Sequence, residues 1–205
     1  MGLRIELGKK KSAQEAKAIV DELYGKVRER WEAKVNQTAF MQQLMAGKLA
    51  LKVLQTFFRN WGAYTIEINT LTACTYHKNL TFFKVHRDLM GPMGEKIADE
   101  FIHPKPPGHF LVMLQTAKAF GLTEEEVFST SMLSEFRAKI DFMRSIVYEG
   151  TAAEWYASVT TEEQIGYWSA VCYKALTTHY GFDREKATYF ATHVEADLGE
   201  HEEGV

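Results

Sequence analysis

The chain has 205 residues, of which 46% are hydrophobic, and its 24 basic and 27 acidic side chains leave a formal net charge of −3. This length and apolar content are enough for one hydrophobic core, so we expect a single domain over residues 1–205, with residues 1–11 as an N-terminal tail. The charge balance leaves no global basic field of the kind that holds nucleic acid.

Cysteine usage and hydropathy indicate a cytoplasmic protein. Cys74 and Cys172 lack the spacing of a disulfide framework or of a thiolate metal site. No apolar run approaches the roughly 20 residues that cross a bilayer, and the first residues lack the apolar core of a secretion signal. We therefore expect no membrane partner.

Apolar residues recur at intervals of three and four along most of the chain, which predicts an all-α fold. The short connections between the helices favour an antiparallel bundle. The aromatic residues of the third helix are predicted to be core, with one or two of them lining a cavity; they are Phe57, Phe58, Trp61 and Tyr64. The predicted helices cover residues 12–34, 37–45, 48–77, 80–101, 109–120, 124–157, 161–180 and 184–201.

Local signals mark several helix ends. Capping boxes are predicted to begin helices at Ser12 and Thr123, and Gly121 and Gly181 are predicted to end them. The segment GPMG at residues 91–94 is a candidate break in the fourth helix, and the proline-rich residues 104–108 form the main stiff loop.

The last predicted helix carries a row of metal-ligand side chains. His193, Asp197 and His201 are spaced at i, i+4 and i+8, which places them within an arc of roughly 80° on one helix face. Imidazoles with a carboxylate between them suit a pair of metal ions. The alternative is a solvated helix end, but the apolar residues beside this row favour an inward face.

A second group of candidate ligands flanks the proline-rich loop. Glu100 ends one predicted helix and His109 begins the next, so that a stiff loop could aim both at one point. His103, inside the loop, is an alternative to His109. A solvated surface corner would also explain these residues.

A further carboxylate is predicted at the start of the seventh helix. Glu162 is preferred, while Glu163 fits either a ligand or a helix cap, because Thr160 stands three residues before it. Glu149 and Glu154, on the preceding helix, are alternative carboxylates, and Glu67 could contact a substrate or make a buried polar contact.

The order of these motifs resembles the haem-oxygenase-like superfamily, which includes pyrroloquinoline-quinone synthase, thiaminase II and the haem-oxygenase-like di-iron oxidases. Four stretches carry the resemblance: AFMQQLMAGKLALKVLQTFFRNWGAYTIEINTL, ADEFIHPKPPGHFLVMLQTAKAFGL, ASVTTEEQIGYW and YGFDREKATYFATHVEADLGEH. The combination of Glu and His, then Glu, then His-x-x-x-Asp and His is typical of the di-iron branch.

The resemblance implies a bundle of seven to eight helices around one deep site that binds two iron ions, the second of them labile, with manganese as the alternative metal. Members of the branch use dioxygen to oxidise small amino-acid-like or fatty-acid substrates. Superfamily members are often dimeric, so a homodimer stays open here. The implied ligands and catalytic residues are Glu100, His109, Glu162, His193, Asp197 and His201.

Two departures from the branch pattern concern the ligand spacing. The branch has Glu-x6-His, whereas eight residues separate Glu100 from His109. The branch also has His-x3-Asp-x2-His, whereas here the last interval is three, with Glu200 at the usual histidine position. His201 also lies four residues before the last residue of the sequence, where fraying is expected.

Other functions remain as alternatives. A cofactor-free oxidase like the quinone synthase would position its substrate through residues such as Arg59, Tyr64, Arg144 and Tyr167. A thiaminase activity is disfavoured, because neither cysteine stands where that nucleophile is expected. A helical binding or regulatory protein with vestigial ligands is the alternative outside the enzymes.

Overall fold

The structure, a computed structural model, describes residues 11–102, 108–159 and 162–202, and describes side chains as far as Glu195. Most of the described residues are helical and none lies in a strand, which confirms the all-α prediction. Across them, none of the helices combines the length and the apolar content needed to cross a bilayer. The α-helices are α1 (Ala13–Arg30), α2 (Ala39–Met45), α3 (Leu51–Lys78), α4 (Leu80–Val85), α5 (Met90–Phe101), α6 (Gly108–Ala119), α7 (Glu124–Phe128), α8 (Ser134–Glu149), α9 (Ala152–Val159), α10 (Glu162–His179) and α11 (Thr188–Glu202).

The predicted capping signals operate as expected. The Ser12 hydroxyl accepts from the Glu15 amide while the Glu15 carboxylate accepts from the Ser12 amide, and Thr123 begins α7 in the same way. Gly121 and Gly181 follow the ends of α6 and α10 with φ of 79° and 71°, conformations that glycine adopts without strain.

The fourth predicted helix breaks at a different place from the one expected. The GPMG segment lies in the first turn of α5, where a proline is tolerated because its missing amide hydrogen would have no partner inside the helix. The break falls at His86 instead, whose φ of −106° and ψ of 69° separate α4 from a 3-10 turn at Arg87–Leu89.

The sixth predicted helix, at residues 124–157, is divided into α7, α8 and α9. Ser, Thr and Ser at residues 129–131 favour turns over helix interiors, and they separate α7 from α8. Gly150 is extended, and Thr151 then begins α9 with a capping box to Glu154 that sequence analysis missed. Such short breaks explain why the structure has more helical segments than the seven or eight predicted.

The long helix α3 packs against α6 and α8, while α10 and α11 pack closely on each other. One apolar core gathers around Phe58, which stacks on Phe120 at 4.2 Å and meets Phe190 edge-on at 5.5 Å. A second, smaller core gathers around Phe83 and Trp155. A cavity lined by members of both cores lies between these helices.

Candidate active site

The cavity has a volume of about 480 Å³, which is within the usual range for a small-molecule site. Much of its wall is aromatic. Phe57 lies 5.1 Å from both Phe40 and Trp168, measured between ring centroids, and stacks on Trp61 at 5.9 Å. Phe57, Trp61 and Tyr64 of α3 all line the cavity, so α3 contributes more aromatic residues to the wall than the one or two expected.

Three charged residues form what we call the inner cluster: Lys96, Glu100 and Glu162, all of which line the cavity. The Lys96 ammonium lies 2.8 and 2.9 Å from Glu162 Oε1 and Oε2, and 3.3 Å from Glu100 Oε1. Lys96 and Glu100 are one turn apart on α5, and Glu162 reaches them from the first turn of α10. The cluster thus joins two helices that are distant in sequence through one cation.

Two histidines extend the inner cluster into the cavity. His109 Nδ1 lies 3.3 Å from Glu100 Oε2, and the His109 and His193 rings are 4.6 Å apart between centroids. His193 Nδ1 lies 2.8 Å from the Tyr189 carbonyl oxygen. A carbonyl only accepts, so Nδ1 donates and the lone pair of the His193 ring is on Nε2.

A glycine allows His109 to lie beside Glu100. Gly108 begins α6 with φ of 79°, and a Cβ there would lie 2.6 Å from the Glu100 carbonyl oxygen and 2.9 Å from the Phe101 Cα. Both contacts are with backbone atoms, which cannot move aside, so a larger residue would separate the two helices. The close approach of α6 to the end of α5 is what unites this Glu and His.

Burial and charge act in opposite directions on the cluster. Burial raises the pKa of Glu100, but the His109 hydrogen bond and the Lys96 charge outweigh it and lower that pKa to about 2. Burial lowers the pKa of Lys96, yet Glu162 and Glu100 raise it above its ordinary value. Both groups are therefore charged at neutral pH.

Two neighbouring groups are held neutral. Burial, followed by the proximity of His109, lowers the pKa of His193 to about 3. Burial, followed by the charges of Glu100 and Glu162, raises the pKa of Tyr64 to about 12. The cavity thus presents a neutral imidazole and a protonated phenol beside the ionised Glu100 carboxylate.

Glu163 lies outside the cavity, in what we call the outer cluster: Arg28, Glu163 and Tyr167. Arg28 Nη2 donates to Glu163 Oε1 at 3.1 Å, Arg28 Nε donates to the Tyr167 hydroxyl at 2.9 Å, and that hydroxyl donates to Glu163. Of the two acids that sequence analysis proposed for this position, Glu162 therefore faces the cavity.

The remaining predicted site residues lie outside the residues or side chains that the structure describes. His103 is not among the described residues, and α11 continues through Asp197, Glu200 and His201 with side chains that are not described. Thr160, the proposed cap partner of Glu163, is not described either.

The described donors fit iron in their chemistry. Two carboxylates and two imidazoles face one cavity, and both carboxylates already share one cation, the Lys96 ammonium. Within the described part of the chain, no three His, Cys, Asp or Glu residues are grouped closely enough to hold a metal ion.

Sequence analysis missed Lys96, although one signal was present. Lysine and glutamate four residues apart on a helix commonly pair, and the sequence KIADE has this spacing. Neither cysteine lines the cavity within the described residues, and burial raises the pKa of the Cys172 thiol. Arg59 and Arg144 are also absent from the described lining, whereas Tyr64 belongs to it.

Comparisons with known proteins place the chain among helical relatives. A family model described as "TENA/THI-4/PQQC family" matches residues 24–203. A crystal structure from Shewanella denitrificans OS217, described as a domain of unknown function with a heme oxygenase-like fold, is similar with a TM-score of 0.58 and 15% sequence identity. The similarity covers 95% of this chain and 77% of that chain, and it shows the fold alone. No curated protein matches the sequence.

Proposed function

This chain belongs to the TENA/THI-4/PQQC family, and from that premise we propose that it is a non-haem iron oxidase or oxygenase that uses dioxygen to oxidise a small molecule in the cavity. The observation that carries the proposal is the meeting of Glu100, Glu162, His109 and His193 at one cavity. Members of the family are often enzymes, and carboxylate and imidazole donors are side chains that bind iron.

The donors suit the proposed metal. Glu100 is ionised, and His193 is neutral with its Nε2 lone pair free of the Tyr189 hydrogen bond, so both are in the protonation states that metal ligands require. The hydrogen bond to Tyr189 also fixes the orientation of the His193 ring. Asp197 and His201, one and two turns further along α11, are proposed to complete a site for two ions.

When bound, iron would supply the redox chemistry that activates dioxygen. The protein's own residues orient the substrate and limit the entry of water. The aromatic wall of Phe57, Trp61 and Trp168 favours an apolar chain or ring and shields that part of the cavity from water. Tyr64 stays protonated and offers a hydrogen-bond donor beside the carboxylates.

The proposed substrates are small acids, either amino-acid-like or fatty acids. A cavity of about 480 Å³ accepts molecules of this size, and its polar lining supports a carboxylate end group. Asn69 is buried in the wall, and Lys139 lines the cavity one turn after Phe136 on α8. These residues lie on the wall formed by α3 and α8.

An anaerobic ferrous titration tests the proposal, with metal stoichiometry from elemental analysis and dioxygen uptake afterwards. Glu162→Gln and His193→Gln are expected to lower the affinity for iron by at least about tenfold each. Glu163→Gln is the matched control, because it changes the next residue of α10 outside the cavity. Equal iron binding by wild type and both cavity variants would overturn the metal site.

A cofactor-free oxidase is the second candidate. The observation in its favour is that Lys96 pairs with both carboxylates, and Tyr64 is available to position a substrate. Dioxygen uptake that persists at full rate after chelation of metals would favour this candidate. Absence of uptake under every metal condition would favour a binding or regulatory protein.

A further inference from the structure

The Lys96 ammonium has its hydrogen bonds directed at carboxylates. It lies within hydrogen-bonding distance of three oxygens, Glu162 Oε1, Glu162 Oε2 and Glu100 Oε1, and an ammonium group has three hydrogens to donate. The lysine side chain is 24% exposed and that of Glu100 is 11% exposed, so much of this contact is removed from water. Lys96 is a specific partner of the acids and not a solvated surface charge.

A divalent ion at this place would need the same oxygens. Oxygen ligands must approach iron or manganese to roughly 2 Å, which is closer than the present nitrogen–oxygen contacts, and an ion so placed would repel the ammonium. Lys96 and the ion therefore compete for Glu100 and Glu162. Two carboxylates and one ammonium carry a net charge of −1, whereas the carboxylates alone carry −2.

The Lys96 side chain is suited to moving away from the two carboxylates. Its charge is carried on a flexible four-carbon stem with no fixed fork geometry, so the head group can swing into the cavity without movement of α5. The carboxylates stay where two separate helices place them, because Glu100 also contacts His109 and Glu162 is in the first turn of α10.

We propose that Lys96 is an internal cation that holds the metal site of the metal-free protein, competes with the metal for Glu100 and Glu162, and must be displaced for loading. This inference rests on the proposed metal function and adds a regulatory element to it. Its consequence is that the protein folds without metal and binds metal more weakly than its donor set alone would allow.

The test compares the metal affinities of three proteins. Wild type, Lys96→Met and Lys118→Met are freed of metal by chelation and titrated anaerobically with Fe²⁺, and in parallel with Mn²⁺ as a redox-stable probe. Lys118→Met is the matched control. Lys118 forms an exposed 2.6 Å ion pair with Glu124, and neither residue belongs to the described cavity lining. Lys96→Met keeps the apolar stem and removes only the charge.

The expected result is a dissociation constant at least about tenfold lower for Lys96→Met than for wild type, with Lys118→Met within about twofold of wild type. Without metal, Lys96→Met should melt at a lower temperature than wild type, because two carboxylates then share no cation. Saturating Mn²⁺ should raise its melting temperature more than that of wild type.

The outcomes separate this inference from the proposed function. If wild type and Lys96→Met bind iron equally, or the variant binds it more weakly, the competition is overturned while the metal function stands. If only the variant binds iron, the competition is supported and the iron function of wild type fails. If neither binds iron, both fail.

A second measurement covers the case in which Lys96→Met does not fold. Lysine acylation of wild type, quantified by mass spectrometry, is expected to modify Lys96 slowly without metal and several-fold faster with Mn²⁺. The other lysines serve as internal references. Unchanged protection of Lys96 at saturating Mn²⁺ would overturn its displacement.

Discussion

Two adjacent carboxylates of α10 have opposite surroundings. Glu162 belongs to the inner cluster, where it shares Lys96 with Glu100 and faces the cavity. Glu163 belongs to the outer cluster, where Arg28 and Tyr167 hold it against α1. The side chain of Glu162 is 40% exposed and that of Glu163 only 3%.

If Glu162 is the functional acid, as we propose, burial alone does not identify it. Glu163 is the more buried of the two, yet its contacts tie one helix to another, which is a structural role. Glu162 is more accessible because it borders a cavity, and its partner is a single flexible lysine, which we propose a metal ion displaces. Exchangeable partners and an open space beside a charge indicate function better than burial does.

The largest predicted effect in this comparison comes from Glu100→Gln in metal-free protein. The change leaves the half-buried Lys96 with one carboxylate and removes the contact of the carboxylate with His109, so we expect a loss of about 3 kcal/mol in the free energy of unfolding at pH 7. Urea unfolding measures the loss. Glu124→Gln, in an exposed pair, should cost under about 1 kcal/mol.

The pH dependence of that loss provides an internal check. The folded-state pKa of Glu100 is about 2, below its ordinary value of 4.5, so its ionised form stabilises the fold above pH 4.5 and this contribution disappears as the pH falls to 2. The difference between wild type and Glu100→Gln should therefore shrink over that range. A difference that is constant with pH would contradict the proposed role of the charge.

His193→Gln should change the acid limb of the stability curve. The folded-state pKa of His193 is about 3, below the ordinary 6.5, so between these values only the unfolded chain takes up this proton. Wild type therefore loses at most about 1.4 kcal/mol per pH unit through this group as the pH falls from 6.5 to 3, and loses nothing through it above 6.5.

Urea unfolding of the metal-free proteins at pH 7.5 and 5 measures this effect. The deficit of His193→Gln relative to wild type should be smaller at pH 5 than at pH 7.5. His179→Gln is the control, because His179 lies at the end of α10 and does not line the cavity. Parallel curves for wild type and His193→Gln would show that the buried imidazole does not couple to folding.

Much of the fold follows from short-range sequence patterns. Helical periodicity identifies the helices, and capping boxes and glycines identify several of their ends, since both depend on residues three or four positions apart. The prolines and glycines are harder to interpret: the same Gly91-Pro92 pair that suggests a break is harmless in a first turn, whereas His86 ends a helix without any strong local signal.

The sequence predicts which residues reach the candidate site, but it does not predict which of their side chains pair with each other. Sequence analysis selected Glu100, His109, Glu162 and His193, and the structure brings all four to one cavity, although their role as ligands stays a prediction. Lys96 and Glu162 are 66 positions apart in the sequence, and they meet only because α5 and the start of α10 come together in the fold. The separation of Glu162 from Glu163 likewise depends on which side of α10 meets α1.

The smallest predicted effect concerns the outer cluster. α1 has no fully buried residue, and Arg28 links it to α10 through side-chain hydrogen bonds with Glu163 and Tyr167. Because the Arg28 side chain is 66% exposed, we expect a coupling energy of only about 1 kcal/mol in a double-mutant cycle of Arg28→Met and Glu163→Gln.

Hydrogen exchange should localise this effect. Loss of the contact should speed amide exchange in α1 and leave α5 and α6 unchanged, because the inner cluster keeps all its partners. The affinity for iron should also stay unchanged in both single variants. If Arg28→Met instead alters exchange in α5 or weakens metal binding, the two sides of α10 are coupled, and the division between a structural acid and a functional one would have to be abandoned.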